Sequence, residues 1–175
     1  MLVERIEGKW IADFVEVFQL CQVKPGESAA ILSESQSRPI LPQLAELALS
    51  QLGAQVFHIT IPSPRNQEAV PLRSTGTSLA LANHPSVIQA LAHTSFVVDC
   101  TVEGLLHAVE RNALLAHGAR IMMISNEHPE ILERVKPSLE VHKKSQIGGQ
   151  MISAASTMHV SSAAGTDLTV DLTDV

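Results

Sequence analysis

A chain of 175 residues, 45% of them hydrophobic, is long enough to bury the core of one domain without disulfides or metals. The net charge is -6 and the 12 Lys and Arg residues are scattered, which argues against a nucleic-acid surface. Only Cys21 and Cys100 are present, so a disulfide framework or a zinc knuckle is excluded. Neither a signal peptide nor a stretch of about 20 apolar residues occurs, and we therefore expect a cytoplasmic protein that does not insert into membranes.

Helical and strand patterns alternate in the first third of the chain. Apolar residues spaced by three and four predict an amphipathic helix ending near Pro25 and Gly26, namely Trp10, Phe14, Val17, Phe18 and Cys21. Residues 28–32 have the pattern of a buried strand, and residues 39–52 that of a helix followed by Gly53. Residues 54–61 are rich in β-branched side chains and predict a second strand.

Residues 62–84 form an unusually long connection with three prolines and no sustained hydrophobic period. Connections of this length are commonly binding loops, lids or disordered segments. Composition does not separate a functional flap from a simply mobile loop, and both alternatives stay open.

The second half of the chain continues the alternation. In order, the pattern predicts a helix at 85–92, a strand at 96–99, a helix at 106–116, a strand at 120–125, a long helix from Pro137, and strands at 158–161 and 168–172 around a turn at Gly165. Gly148 and Gly149 inside the long helix predict a break, close packing or a hinge. Such βαβ units predict an α/β fold with a doubly wound, mainly parallel five-stranded sheet and a C-terminal β-hairpin. We expect an α/β domain over residues 1–162, with residues 163–175 beginning a truncated C-terminal region that contains β-structure.

The loops after the first and third strands are the places where chemistry is expected. In open α/β sheets, ligands bind beyond the carboxyl ends of the strands where the strand order reverses. The first loop, 33–38, supplies Glu34, Ser35 and Arg38, and the second, 100–107, supplies Glu103, Gly104 and His107. His107 is the preferred candidate, because an imidazole at a predicted helix N-terminus suits a neutral general base. The alternative is a solvated histidine in the first turn of a helix.

Residues 128–130, His-Pro-Glu, have the spacing of part of a two-histidine, one-carboxylate iron site, with His142 or His159 as a third ligand. A helix start explains them better, with Asn126 as the N-cap and Pro129 in the first turn. The chain contains neither the Gly-rich phosphate loops nor the nucleophile elbow, which argues against dinucleotide binding, nucleoside triphosphate binding and α/β-hydrolase chemistry.

Several short motifs together resemble one family. They are Phe-Val-Val-Asp ending at Asp99, Leu-Leu-His ending at His107, Gly-Ala-Arg-Ile from Gly118, Glu-His-Pro-Glu-Ile-Leu from Glu127 and Ala-Gly-Thr-Asp-Leu from Ala164. Over nearly the whole chain, the sequence resembles the N-terminal domain of the 2,5-dihydroxypyridine 5,6-dioxygenases. The superfamily also contains metallopeptidases of the aminopeptidase T type.

The resemblance implies the N-terminal part of a mononuclear non-haem Fe(II) enzyme that opens a dihydroxypyridine ring with dioxygen, during bacterial degradation of N-heterocycles. It implies that Leu106 and His107 face the substrate, with His107 as a catalytic acid or base. It further implies that the metal ligands lie beyond Val175, so that this chain by itself binds no iron and is inactive. The partners expected are therefore an aromatic N-heterocycle and dioxygen, with no nucleic acid and no membrane, and we expect a homo-oligomer.

Two other interpretations stay open. One is the N-terminal part of an aminopeptidase of the M29 type, for which a carboxylate-rich two-metal set in the remainder of the protein would be the evidence. The other is a non-catalytic binding or assembly domain that uses residues 62–84 as its contact surface.

Overall fold

The computed structural model of the chain describes residues 5–65 and 75–173. Residues 66–74 of the long connection predicted at residues 62–84 therefore lie outside the described residues. The chain divides into two compact units, one up to Lys136 and the other from Pro137. The predicted domain boundary near residue 162 stays a prediction. In the described ranges, no helix is both long enough and apolar enough to cross a membrane.

The first unit contains a four-stranded sheet in which every neighbouring pair is parallel. Its strands are β1 (Ser28–Glu34), β2 (Gln55–Ile61), β3 (Phe96–Cys100) and β4 (Arg120–Met123), in the order β2-β1-β3-β4. The chain leaves β1 toward β2 on one side and later returns to β3 on the other side. The strand order thus reverses between β1 and β3, where the sequence predicted it.

Helices cover both faces of this sheet. They are α1 (Gly8–Leu20), α2 (Ile40–Gln51), α3 (Pro85–Ala92), α4 (Arg111–Ala116) and α5 (Pro129–Arg134). Residues of α1 and α2 pack with Ile31, Phe96 and Val98 in one core cluster. Residues of α3 and α4 pack with Leu32 and Val97 in a second cluster. Neighbouring strand residues point to opposite faces, so the two clusters lie on the two sides of the sheet, and the predicted doubly wound α/β fold is confirmed.

Aromatic side chains hold α1 on its face of the sheet. Phe18 is completely buried and lies edge-to-face against Phe14 and Phe96, with ring centroids 5.9 and 5.5 Å apart. The spacing of Phe14 and Phe18 places both rings on one side of the helix, as the sequence pattern predicted. These contacts fix the helix that precedes β1.

The second unit consists of α6 (Leu139–Ser153) and a hairpin of β5 (Thr157–Ser161) and β6 (Asp167–Asp171). The turn of the hairpin contains Gly165 at φ +95°, as its sequence predicted. The prediction of a fifth strand in the parallel sheet is wrong. Within the described residues, β5 pairs only with β6 and antiparallel, because the short turn at Gly165 favours a local hairpin.

The glycine pair in α6 does not break the helix. The helix runs through Gly148 and Gly149 without interruption. A Cβ added at either glycine would meet nothing within 4 Å in the described structure. The predicted break is therefore wrong, because the backbone hydrogen bonds of the neighbouring residues continue the helix through the pair, and the predicted close packing or hinge stays a prediction.

Candidate functional site

Buried polar side chains gather where β1 and β3 end. They are Ser33, Glu34, Ser37, Ser78, Asp99 and Thr101. Buried polar groups need hydrogen-bond partners, so this edge of the sheet must contain an ordered network. The network connects the loop after β1, the His107 loop (residues 101–108) and the Gly76 segment (residues 75–78).

Asp99 lies at the centre of this network and is completely buried. Its Oδ1 accepts hydrogen bonds from the backbone N–H of Thr101 at 3.0 Å and from the Thr101 hydroxyl at 2.6 Å. Its Oδ2 accepts from the N–H of Leu105 at 2.6 Å. Burial raises the pKa of Asp99 to about 6, although these hydrogen bonds favour the ionised form, and the nearby Glu34 carboxylate raises the pKa further.

Glu34 connects the end of β1 to both neighbouring segments. Its Oε1 accepts a hydrogen bond from the N–H of Val102 at 3.0 Å and from the hydroxyl of Ser78 at 3.3 Å. The Ser37 hydroxyl accepts from the N–H of Glu34 and donates to the carbonyl of Cys100, both at 2.7 Å. The ends of β1 and β3 are therefore fixed to each other through side chains as well as through the sheet.

Backbone hydrogen bonds join the Gly76 segment to the His107 loop. The N–H of Gly76 donates to the carbonyl of Glu103 at 2.7 Å, and the N–H of His107 donates to the carbonyl of Gly76 at 2.5 Å. The N–H of Ser78 donates to the carbonyl of Gly104 at 2.9 Å. Thr75 adds two bonds of 2.8 Å, from its N–H and its hydroxyl, to the Glu103 carboxylate. The two segments thus lie side by side like a short strand pair.

Leu106 and His107 are the exposed part of this loop. Leu105 and Ala108, on either side of the pair, are 0% and 4% exposed, whereas Leu106 is 46% exposed and His107 is also exposed. A Cβ added to Gly76 would lie 3.0 Å from Leu106 Cβ and 3.2 Å from His107 Cδ2. Only a residue without a Cβ therefore fits beside these two side chains without crowding them.

The predicted helix start at Leu106 is wrong. Helix α4 begins at Arg111, and the residues before it form turns. The loop differs from a helix because the N–H groups of Leu105 and His107 are directed to Asp99 and Gly76. The argument from the helix dipole therefore no longer applies to His107, while its position beyond the end of β3 agrees with the prediction.

Cavities in the described residues include three with volumes of about 500, 140 and 610 Å³. The first lies at the opposite edge of the sheet, around His93 and His117. The second is apolar and lies between α1 and α5, and the third lies beside α6. None of the three is lined by Leu106 or His107, so on the described residues this pair belongs to an open surface.

Two other histidines singled out in the sequence, His128 and His159, have local partners. His128 is the N-cap of α5, since its Nδ1 accepts from the N–H of Glu130 at 3.2 Å. The prediction of Asn126 as this N-cap is wrong, because its Oδ1 instead accepts from the N–H of Arg38 at 2.6 Å. His159 contacts Asp167 at 2.7 Å across the hairpin. Among the described residues, no three His, Cys, Asp or Glu side chains form a group that could hold a metal.

A side chain at position 76 is expected to disturb both stability and the Leu106–His107 pair. Gly76 has φ +72°, where an L-residue is strained by about 1–2 kcal/mol. Gly76→Ala should therefore lower the free energy of unfolding by at least this amount in urea titrations. Gly8→Ala is the matched control, because a Cβ at Gly8 meets nothing within 4 Å. Equal stability of the two variants would contradict the close contact at Gly76.

Sequence reasoning missed Asp99, Ser78 and Gly76 as parts of the site. The sequence pattern that could have indicated Asp99 is an acidic residue near the end of an apolar strand, which occurs in both β1 and β3. A carboxylate that continues a buried strand is itself buried. It therefore needs several hydrogen-bond donors nearby. No sequence pattern marks Ser78 or Gly76, because their role depends on a contact between distant parts of the chain.

Comparison with known proteins gives consistent results. Residues 9–175 match the family model described as 2,5-dihydroxypyridine 5,6-dioxygenase. The curated 2,5-dihydroxypyridine 5,6-dioxygenase of Pseudomonas putida is 29% identical over 156 residues, which are 88% of this chain and 44% of that protein. The solved structure of the 2,5-dihydroxypyridine dioxygenase from Pseudomonas putida has a TM-score of 0.83 and 26% identity, covering 95% of this chain and 48% of that one.

The chain thus spans under half the length of these relatives. The alternative interpretation as an aminopeptidase receives no support from these matches. The family model, the curated relative and the solved structure all identify the same enzyme over almost the whole chain. The chain therefore belongs to the 2,5-dihydroxypyridine 5,6-dioxygenase family.

Proposed function

We propose that this chain forms part of a dioxygenase that opens the ring of a dihydroxypyridine, with Leu106 and His107 facing the substrate. Membership of the family supports the reaction class. The observation that carries the assignment of residues is the anchored loop after β3. It presents Leu106 and His107 at the edge of the sheet where α/β folds bind ligands, while the flanking Leu105 and Ala108 are buried.

The chemistry of the two side chains suits a hydroxylated aromatic ring. Leu106 offers an apolar surface against which a planar ring can pack. The imidazole of His107 can donate to or accept from a ring hydroxyl and can transfer a proton near neutral pH. We therefore assign Leu106 to the wall of the substrate site, and His107 to substrate orientation and proton transfer.

Fe(II) is the metal that we propose for the complete enzyme. The described residues do not fit an iron centre, because no suitable group of three ligands is found among them. Asp99 and Glu34, the two buried acids beneath the His107 loop, already accept hydrogen bonds from that loop. We propose that the ligands come from the part of the relatives' length that this chain does not span. Ferrous iron would supply the activation of dioxygen there, while Leu106 and His107 bind and orient the ring.

We further propose that the protein acts in the cytoplasm as a homo-oligomer. The two cysteines are unpaired, which agrees with a reducing compartment. The apolar side chains exposed on α6, including Leu139 and Met151, agree with an interface between copies.

Replacing the imidazole tests the proposed function. In the protein encoded by the complete reading frame and supplied with ferrous iron, His107→Ala should lower kcat for loss of dihydroxypyridine absorbance by about 100-fold. The control is His58→Ala, which removes an exposed histidine from β2 and should leave the rate unchanged. An unchanged rate in His107→Ala would remove His107 from the mechanism, and a wild-type protein inactive on every dihydroxypyridine isomer would refute the reaction class.

A further inference from the structure

Glu34 and Asp99 are two buried acids that point to the same face of the sheet. Leu32 pairs with Asp99 in the parallel register of β1 and β3, and Glu34 lies two residues beyond Leu32 on the same side of the strand. Leu32 belongs to the core cluster under α3 and α4, which also contains Leu105. Both carboxylates therefore lie directly beneath the His107 loop.

Among the described residues, the donors to these carboxylates belong to the segments that surround Leu106 and His107. The two acids accept five hydrogen bonds, from Thr101, Val102 and Leu105 in the His107 loop and from Ser78 in the Gly76 segment. Burying a carboxylate is unfavourable, and burying two near each other is more so. The five hydrogen bonds to the two carboxylates hold both ends of the His107 loop in place.

We propose that Glu34 and Asp99 are positioning residues of the reaction, which hold the His107 loop against the Gly76 segment and so fix the placement of Leu106 and His107 toward the substrate. This inference rests on the proposed function. Neither acid touches the substrate in this arrangement. Each acts through the backbone to which it is hydrogen bonded, and small displacements of a reacting group have large effects on rate.

The two acids should respond differently to replacement by their amides. Both oxygens of Asp99 accept from N–H or O–H donors, so in Asp99→Asn one position becomes an NH₂ group that faces a donor. In Glu34, a single oxygen accepts from both Val102 and Ser78, and the amide oxygen of Glu34→Gln can take over both bonds. We expect Asp99→Asn to lower kcat about tenfold with KM changed by less than about threefold. Glu34→Gln should stay within about threefold of wild type, while Glu34→Ala should resemble Asp99→Asn.

A double-mutant cycle separates positioning of His107 from a general structural role. If Asp99 acts through His107, Asp99→Asn should change kcat by less than about twofold in a protein that already carries His107→Ala. An equal loss in both backgrounds would overturn the inference. Loss of activity in His107→Ala without loss in Asp99→Asn would overturn it as well, while leaving the proposed function intact.

Hydrogen–deuterium exchange on this chain gives a readout that does not depend on activity. Asp99→Asn should speed amide exchange in residues 101–107 and 75–78, with the strands β1 and β2 unchanged. If His107→Ala leaves the rate unaltered, the proposed role of His107 fails, and the exchange result still decides whether the acids hold the loop. Unchanged exchange in both segments would refute the positioning role.

Discussion

Phe18→Ala is expected to lower the free energy of unfolding by about 3–5 kcal/mol, the usual cost of deleting a buried phenyl ring. Phe18 is completely buried and contacts both Phe14 in α1 and Phe96 in β3. Its removal therefore opens a cavity and also breaks the aromatic contact between helix and sheet. Urea titration followed by far-ultraviolet circular dichroism would measure the loss.

The same substitution at Phe57 is the matched control. Phe57 lies on β2, at the edge of the sheet, and is 37% exposed. Because its ring stays in contact with water and its removal encloses no cavity, Phe57→Ala should cost about 1 kcal/mol. A comparable loss at both positions would contradict the assignment of Phe18 to the centre of the core.

The second large effect concerns the pH dependence of stability. Burial raises the pKa of Asp99 from 3.8 to about 6, so the folded protein retains this proton at a pH where the unfolded chain has lost it. The free energy of unfolding should consequently fall as the pH rises from about 4 to about 6, and the loss should remain at higher pH. A shift of this size corresponds to about 3 kcal/mol. Urea titrations at pH values between about 4 and 7 would measure it.

The variant Asp99→Asn isolates this contribution from that of other titrating groups. Asparagine does not ionise, so the variant should lack the part of the pH dependence that belongs to residue 99. Across the same range, wild type should lose about 3 kcal/mol relative to the variant. Parallel stability curves for the two proteins would show that Asp99 keeps an ordinary pKa.

The local elements of the fold could be predicted because their patterns are decided by neighbours in sequence. The observed helix at Pro85–Ala92 has the predicted limits, and β2 agrees with its prediction within one residue. The hairpin around Gly165 also agrees, since a turn with positive φ favours glycine. The prediction of β5 as a fifth strand of the parallel sheet does not agree, because membership of a sheet is decided by contacts that a single sequence does not display.

The site was only partly predictable for a similar reason. The position of His107 beyond β3 agrees with the prediction, whereas Glu34, predicted in the loop after the first strand, is the last residue of β1. The predicted start of α4 is five residues too early, at Leu106 instead of Arg111, because helical periodicity does not reveal that Asp99 and Gly76 take the N–H groups of this segment. Tertiary hydrogen bonds outweigh local propensity there.

The alternation of buried and exposed residues along the His107 loop has an evolutionary consequence. Leu105 and Ala108 belong to the core, whereas Leu106 and His107 contribute almost nothing to it. Substitutions at the exposed pair should thus be nearly neutral for folding, as they are at most surface positions. Natural variation at Leu106 can therefore alter the exposed surface of the loop while the scaffold that presents it is inherited unchanged.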